Sequence, residues 1–364
     1  MTPRDHHTGG VRADGVKGHD HPDHPLDGPH PTDVHGHLPV MLEQVVDALA
    51  PRDGGVFVDA TFGGGGYSRA ILDAADCTVW GIDRDPQAVV RARELEKIYP
   101  GRLKVLPGRF SQMHSLFGRE GVAEVHGITL DLGVSSFQLD DPSRGFSFRL
   151  DGPLDMRMEG DGPGGGPSAA DVVNSADEVE LADILFNFGE EQKSRRIARA
   201  IVAARKEAPI TRTLQLAEVI DGAVGGRGKR PKTKKIHPAT RSFQALRIYV
   251  NDELGELDRA LIAAEKLLAP RGRLAVVSFH SLEDRKVKNF FRQRSGRVVI
   301  ESRHAPSAAR GVAEQLPEAT LVPLYRRARR PSSTEVAANT RARSARLRAA
   351  ERTSAPPWPV EEAA

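Results

Sequence analysis

The sequence predicts an α/β fold, a parallel sheet with helices on both faces, interrupted by an inserted all-helical segment. Two observations carry this. Four short apolar runs, VFVDATF (56–62), TVWGIDRD (78–85), RLKVLPGRF (102–110) and GITLDLGVSS (127–136), each reach glycine, aspartate or serine at or near their ends, and helical stretches at 67–73 and 86–97 separate the first three. Strands alternating with helices argue for parallel βαβ units. Residues 171–220 then show helical spacing only, through Leu181, Ile184, Leu185 and Phe188, Ile197 and Ile201, and Leu214, Leu216 and Ile220.

Residues 1–36 carry seven of the 13 histidines among Asp, Pro and Gly, with few large apolar side chains. Such a stretch buries too little surface to offset its ordering entropy and reads as a solvated, disordered tail. Ordered sequence is expected from HLPVMLEQVVDAL, where Leu42, Val45, Val46 and Leu49 recur at helical spacing. After the fourth strand, residues 141–170 are loop-like and end in GDGPGGGPS, and a basic loop, GGRGKRPKTKKIHPATR, spans 225–241. The α/β signal returns at ALRIYVNDELGELDRALIAAEKLL, with Leu254, Leu257, Leu261 and Leu268 on one helix face, followed by the strand RLAVVSF at 273–279. The expected organisation is a tail (1–36), a discontinuous core (37–140 and 246–352), an inserted helical basic domain (141–245) and a short tail (353–364).

Composition limits the function. At 364 residues the chain is long enough for a large core without disulfides or metal staples. Cys77 is the only cysteine, so no internal disulfide forms, which favours a reducing cytosol and a cytoplasmic protein. No apolar run approaches the roughly 20 residues of a membrane span. Neither cysteine–histidine spacing nor the scattered methionines suggest a metal or haem site.

The first chemical signal is Asp59-Ala-Thr-Phe-Gly63-Gly64-Gly65-Gly66, which follows a strand and opens a helix. A tight turn needs one or two glycines; four suit a backbone that a ligand approaches closely, beside the free N–H groups of a helix start. The dinucleotide pattern G-x-G-x-x-G fails, because its third glycine falls on Ser68 or Arg69, and no Gly-Lys-Ser/Thr follows to make a P-loop. An acidic residue four positions before G-x-G instead resembles the first motif of S-adenosylmethionine (AdoMet)-dependent methyltransferases. Asp83 closes the next strand, where a carboxylate can accept both ribose hydroxyl protons, while Asp85 before Pro86 suits a helix start. Phe110 ends the third strand and either packs on an adenine or caps the core. Asp131, with Ser135, Ser136 and Gln138 beyond it, ends the fourth. Ligands in such sheets bind at the carboxyl ends of the strands, so Asp59, Asp83, Phe110 and Asp131 are expected to converge on one crevice.

Longer stretches are more specific. HLPVML, VDATFGGGGYS, GIDRDPQA, DLGVSSFQLDDPSRGFSFRLDGPLDMRM, ATRSFQALRIYVNDEL, VVSFHSLEDRKVK and NTRARSARLRAAER together resemble the MraW family, from about residue 37 to 352. The resemblance implies a Rossmann-like class I AdoMet-dependent methyltransferase fold and methyl transfer to the exocyclic N4 of a cytidine in the decoding region of 16S rRNA. It implies cofactor contacts from Gly65, Gly66, Tyr67, Asp83, Phe110, Asp131 and Gln138. The family usually has His where Tyr67 stands and Pro where Phe137 stands.

A cytosine N4 lone pair is delocalised into the ring, so acceptors that hold its N–H protons matter more than activation of the methyl donor. Asp131, Ser135 and Ser136 are the catalytic candidates; Asp131 alternatively orients the amino acid end of the cofactor. His280 and Glu283 in SFHSLED, and Asp155 and Arg157 in DGPLDMRM, are further candidates to reach the pocket. The overall charge of +3 hides asymmetry, with 19 Lys/Arg against 9 Asp/Glu in residues 271–364 and seven cations without an acid between Arg227 and Arg241. Basic clusters are the footprint of a nucleic acid partner, here small-subunit rRNA by the resemblance. Methylation of another RNA or a protein, and a non-catalytic rRNA-binding assembly factor, are the competing readings.

Overall fold

The computed structural model describes residues 39–162, 165–225, 237–296 and 317–359. The 1–36 tail and Arg227, Lys229, Arg230, Lys232, Lys234 and Lys235 of the basic loop lie outside the described residues.

Seven strands form one sheet: β1 (Val56–Asp59), β2 (Thr78–Asp83), β3 (Leu103–Pro107), β4 (Val125–Asp131), β5 (Leu268–Ser278), β6 (Leu321–Pro323) and β7 (Arg346–Arg352), in the order β3-β2-β1-β4-β5-β7-β6. The first five run parallel, whereas β7 is antiparallel to both β5 and β6. Parallel strands buried on both faces read as continuous apolar runs, which is why β1, β2 and β4 are visible in the sequence. The crossovers are α2 (Gly66–Ala74), α3 (Pro86–Ile98) and α4 (Met113–Arg119); α4 has seven residues and no strong apolar period, and the sequence reading missed it. The chain builds outward from β1 to β3, then returns to place β4 on the other side of β1. That reversal opens a crevice at the carboxyl ends of β1 and β4.

One face of the sheet packs on α4, α11 (Glu253–Leu267) and α12 (Ser281–Arg294), burying Trp80, Phe117, Leu261 and Phe291. The other packs on α1 (Leu42–Leu49), α2 and α3, burying Leu49, Phe57, Ile71 and Leu95.

Among the described residues between β4 and β5, helices α5 (Ser136–Asp140), α6 (Ala169–Ser175), α7 (Glu178–Gly189), α8 (Ser194–Glu207), α9 (Thr213–Val224) and α10 (Ala239–Val250) precede α11. Helices α6 to α10 bury a separate apolar cluster that includes Leu181, Ile197, Leu216 and Leu246. Each such side chain contributes about 1.5–3 kcal/mol on full burial. Helix α10 runs unbroken across residue 245, and α11, which packs on the sheet, begins at Glu253.

The irregular stretch 141–162 is held by backbone bonds, among them Leu154 N to Thr211 O and Thr213 N to Gly152 O, both at 2.9 Å, and by side chains. Asn251 donates to Met156 O at 2.7 Å and accepts from Met158 N at 2.8 Å. Arg144 donates to Arg157 O at 3.1 Å and Met158 O at 2.8 Å. No described helix is long and apolar enough to cross a membrane.

Candidate functional site

The carboxylate that ends β1 does not enter the crevice. Asp59 is fully buried and its Oδ2 accepts from Ser68 N at 3.1 Å and Ser68 Oγ at 2.7 Å, which pins the first turn of α2 to β1. Burial pushes its pKa up to about 6, against the pull of the Ser68 bonds. The expectation that Asp59 joins the other acids is corrected: it is not among the residues that line the cavity, its Oδ2 serves the loop, and its Oδ1 is buried without a partner among the described residues.

The glycines between them do two jobs. Gly65 caps α2 at φ 77°, and a Cβ there would lie 2.5 Å from the Phe62 ring. At Gly66 a Cβ would lie 2.1 Å from Pro39 Cγ, so the segment before α1 presses directly on the helix start. Close packing of the protein on itself therefore accounts for both residues. Gly66 opens α2 and lines the cavity, but Gly65 does not line it and its amide donates to Phe62 O at 2.7 Å, so the expected cofactor contact from Gly65 is corrected to a role in the turn. Tyr67 also lines the cavity, with a buried ring whose hydroxyl donates to Val40 O. Burial, then the Asp131 carboxylate, pushes its phenol well up.

At the end of β2, Asp83 accepts from Gly63 N through Oδ2 and from Asp85 N through Oδ1, both at 2.8 Å. Desolvation raises its pKa despite these bonds. Asp85 is the N-cap of α3, as expected, accepting from Gln87 N at 3.0 Å. Its other oxygen takes Gln138 Nε2 and Arg144 Nη1, each at 2.9 Å. Phe110 stands at the start of a 3-10 turn just past β3 and lines the cavity.

Asp131 ends β4. Its amide donates to Thr61 Oγ1 at 2.7 Å, while Oδ1 is buried without a hydrogen-bond partner among the described residues. Burial, with the Asp59 and Glu283 carboxylates nearby, holds its pKa well above the usual range. Ser135 caps α5, taking Gln138 N at 3.3 Å on Oγ, and its own amide donates to Gln138 Oε1 at 3.0 Å. Gln138 thus engages both ends of its amide with protein, leaving one N–H and one lone pair for a ligand. Ser136 Oγ accepts from Arg341, whose other nitrogen pairs with Asp140 at 2.6 Å.

One cavity of about 420 Å³ joins these parts; Gly66, Tyr67, Asp83, Phe110, Asp131, Ser135, Ser136 and Gln138 all line it. That volume falls within the range of small-molecule sites. The sequence reading missed three contributions. Arg247 of α10 lines the cavity while Nε and Nη2 hold Glu253 at 2.7 and 2.9 Å. Pro39 and Val40 close it on one side, and Asn339, Arg341 and Ser344 on another. Their signal lay in the ATRSFQALR, HLPVML and NTRARS stretches, which carry no chemical pattern of their own.

His280 and Glu283 do not reach the cavity, which stops at Phe279. They form the capping box of α12, with Glu283 Oε2 accepting from Phe279 N at 2.8 Å and His280 Nε2 lying 3.0 Å from Glu283 Oε1. Donor atoms of Glu253, His280 and Glu283 lie within 4.8 Å of one another, but Arg247 and the cap already engage the two carboxylates. Asp155 and Arg157 likewise stay within their loop, paired at 2.5 Å. Their neighbour Glu159 makes the longer reach, to Arg84 at 3.1 Å and Arg109 at 2.7 Å.

A cavity at the sheet's switch point, a carboxylate at the end of β2 and a helix start beside it fit a nucleoside with a charged tail. The orphaned Asp131 oxygen fits a cationic or N–H-bearing group. The fold and site define an AdoMet-dependent methyltransferase of the Rossmann-like class I type. The chain belongs to the MraW methylase family, whose profile matches residues 34–353. It is 58% identical over 333 residues to the ribosomal RNA small subunit methyltransferase H of Rhodospirillum centenum, covering 90% of this chain and 95% of that protein. The protein of the same name from Paramagnetospirillum magneticum is 56% identical over 322 residues, covering 88% of this chain and 97% of its own. Among solved structures, a putative rRNA-methylase from Clostridium thermocellum is 12% identical over 88% of this chain and 99% of its own, with a TM-score of 0.37.

Proposed function

We propose that this chain methylates the exocyclic N4 of a cytidine in the decoding region of 16S rRNA, on assembled or nearly assembled small subunits in the cytoplasm. The observation that carries the site-level reading is Asp131: a buried carboxylate with one unpartnered oxygen, in a cavity whose other walls suit a nucleoside. Close relatives named for small-subunit rRNA methylation support the substrate.

In this reading the amides of Gly66 and Tyr67 face the cofactor's amino acid end, Asp83 accepts its ribose hydroxyls, Phe110 packs on its adenine and Gln138 borders it, while Gly65 shapes the turn behind them. AdoMet supplies an electrophilic methyl group on a sulfonium, so the chain need not activate the donor. Asp131 and the hydroxyls of Ser135 and Ser136 accept from the target amine and aim its lone pair at the methyl carbon, a positioning effect. The N–C bond would form as the S–CH3 bond breaks and the neutral thioether leaves, and N4 must then shed a proton. A carboxylate whose pKa burial has raised is suited to take it. The helical region 141–245, with its basic loop, is read as an rRNA-binding domain.

Methyl-labelled AdoMet offered with small subunits lacking the modification, naked 16S rRNA and large subunits tests the substrate. Label is expected in small subunits. Label only in large subunits or protein would remove the substrate. AdoMet binding with no transfer to any of them would favour a non-catalytic assembly factor.

A further inference from the structure

Resting on the rRNA reading above, we propose that the exposed arginines of the C-terminal segment 324–344, and not only the basic loop of the helical region, form a phosphate track that leads the RNA strand to the cavity. Between Ala319 and Ala350 the sequence holds eight arginines and a single acid, Glu335. That acid is engaged, since Glu335 Oε1 accepts from Met41 N at 2.6 Å.

The arginines divide into two sets. Arg346 and Arg348 are each held by Asp284 at 2.7 Å, and Arg341 by Asp140, so these build the fold. Arg329 lies over the Tyr325 ring at 4.9 Å. Arg326, Arg327, Arg330 and Arg343 are exposed, with no ion pair among the described residues. Four exposed guanidinium groups, with no ion pair among the described residues, remain available to an anion.

The segment is also fixed in place. Leu324 N donates to Ala349 O at 2.9 Å, and Arg329 and Leu347 exchange both backbone bonds at 2.9 and 3.0 Å. Helix α13 (Ser333–Ala338) follows, tied to Met41 through Glu335, and a 3-10 turn at Thr340–Ser344 then delivers Arg341 and Ser344 to the cavity wall. A rigid backbone thus runs from the free arginines to the cavity that must receive an unstacked base. Guanidinium groups on a held scaffold suit phosphate oxygens, and they lose less entropy on binding than a mobile loop does.

The test uses the full-length protein and small subunits lacking the modification, with KM and its dependence on KCl as readouts. The R326Q/R327Q/R330Q variant should raise KM about ten-fold at physiological salt, and about three lost contacts should lower the log–log salt slope by about 2. AdoMet affinity and kcat at saturating subunits should not move. The R326K/R327K/R330K variant keeps the charges and should keep the slope. An unchanged KM and slope in the glutamine variant, or an equal loss in the lysine variant, would overturn the proposal. If the triple variant also loses AdoMet affinity, Arg343→Gln decides alone, with a slope expected to fall by about 0.7 and an unchanged slope counting against the track. A wild-type protein that binds AdoMet but labels no RNA removes the rRNA reading itself, a result distinct from both.

Discussion

The amide of Asp131 donates to Thr61 Oγ1 at 2.7 Å, which locks the end of β4 to the loop after β1 and leaves Asp131 Oδ1 facing no protein donor. The acid is thereby fixed in place but not neutralised. Burial and two neighbouring carboxylates raise its pKa, so the folded, ligand-free protein holds the Asp131 proton to higher pH than an unfolded chain does. A cation bound beside it favours the ionised form. AdoMet affinity is therefore expected to rise as pH rises through the elevated Asp131 pKa, with a proton released on binding. Calorimetry in buffers of different ionisation enthalpy measures both. Asp131→Asn should abolish the proton release and the pH dependence; a variant that retains them would show that another group is responsible.

Asp59 makes a separate pH prediction. Its folded pKa of about 6 exceeds the ordinary value, so its contribution to stability is complete below about pH 4 and is lost as pH rises through about 6. The full swing is about 3 kcal/mol. Thermal unfolding of the ligand-free protein should show Asp59→Asn with a flatter pH profile than wild type between pH 4 and 7. Parallel profiles would mean that Asp59 does not titrate in that window.

The contact of Pro39 with Gly66 can be tested as a pair. Gly66→Ala forces a Cβ to 2.1 Å from Pro39 Cγ and should cost about 2 kcal/mol through overpacking. Adding Pro39→Ala should restore most of that loss, since it removes the colliding atom. A double-mutant cycle reads the coupling directly. Additive effects would place the cost elsewhere.

Asp83 faces the cavity and also receives the Gly63 amide. Asp83→Ala removes an acceptor for the ribose hydroxyls and frees the glycine loop. With about 1.5–3 kcal/mol per hydrogen bond to a charged group, AdoMet binding should weaken by about 30-fold or more. An unchanged dissociation constant would refute the ribose contact.

How much was legible depended on what each element buries. Strands β1, β2 and β4 showed as apolar runs because both their faces are covered. Strand β7 did not: ARLRAAER looks like a basic helix, yet Leu347 and Ala349 turn inward while Arg346 and Arg348 reach Asp284. That alternation has meaning only once β5 is known to lie alongside. In the site, Asp83, Phe110 and Asp131 follow from the strand ends and Gln138 from the family resemblance, and all four line the cavity. Asp59 ends its strand just as Asp83 and Asp131 do, and the Ser68 bonds and its place outside the cavity lining distinguish it. Arg247 was missed because an arginine on a helix reads as solvated, and its approach to the cavity depends on Glu253 six residues later.

The identity of the product nucleoside tests this chemistry directly. Small subunits lacking the modification are incubated with the protein and methyl-labelled AdoMet, and their 16S rRNA is then digested to nucleosides for mass spectrometry. N4-methylcytidine is the expected labelled product, lost in Asp131→Ala at saturating AdoMet. Label in a different nucleoside, or full transfer by the Asp131 variant, would contradict it.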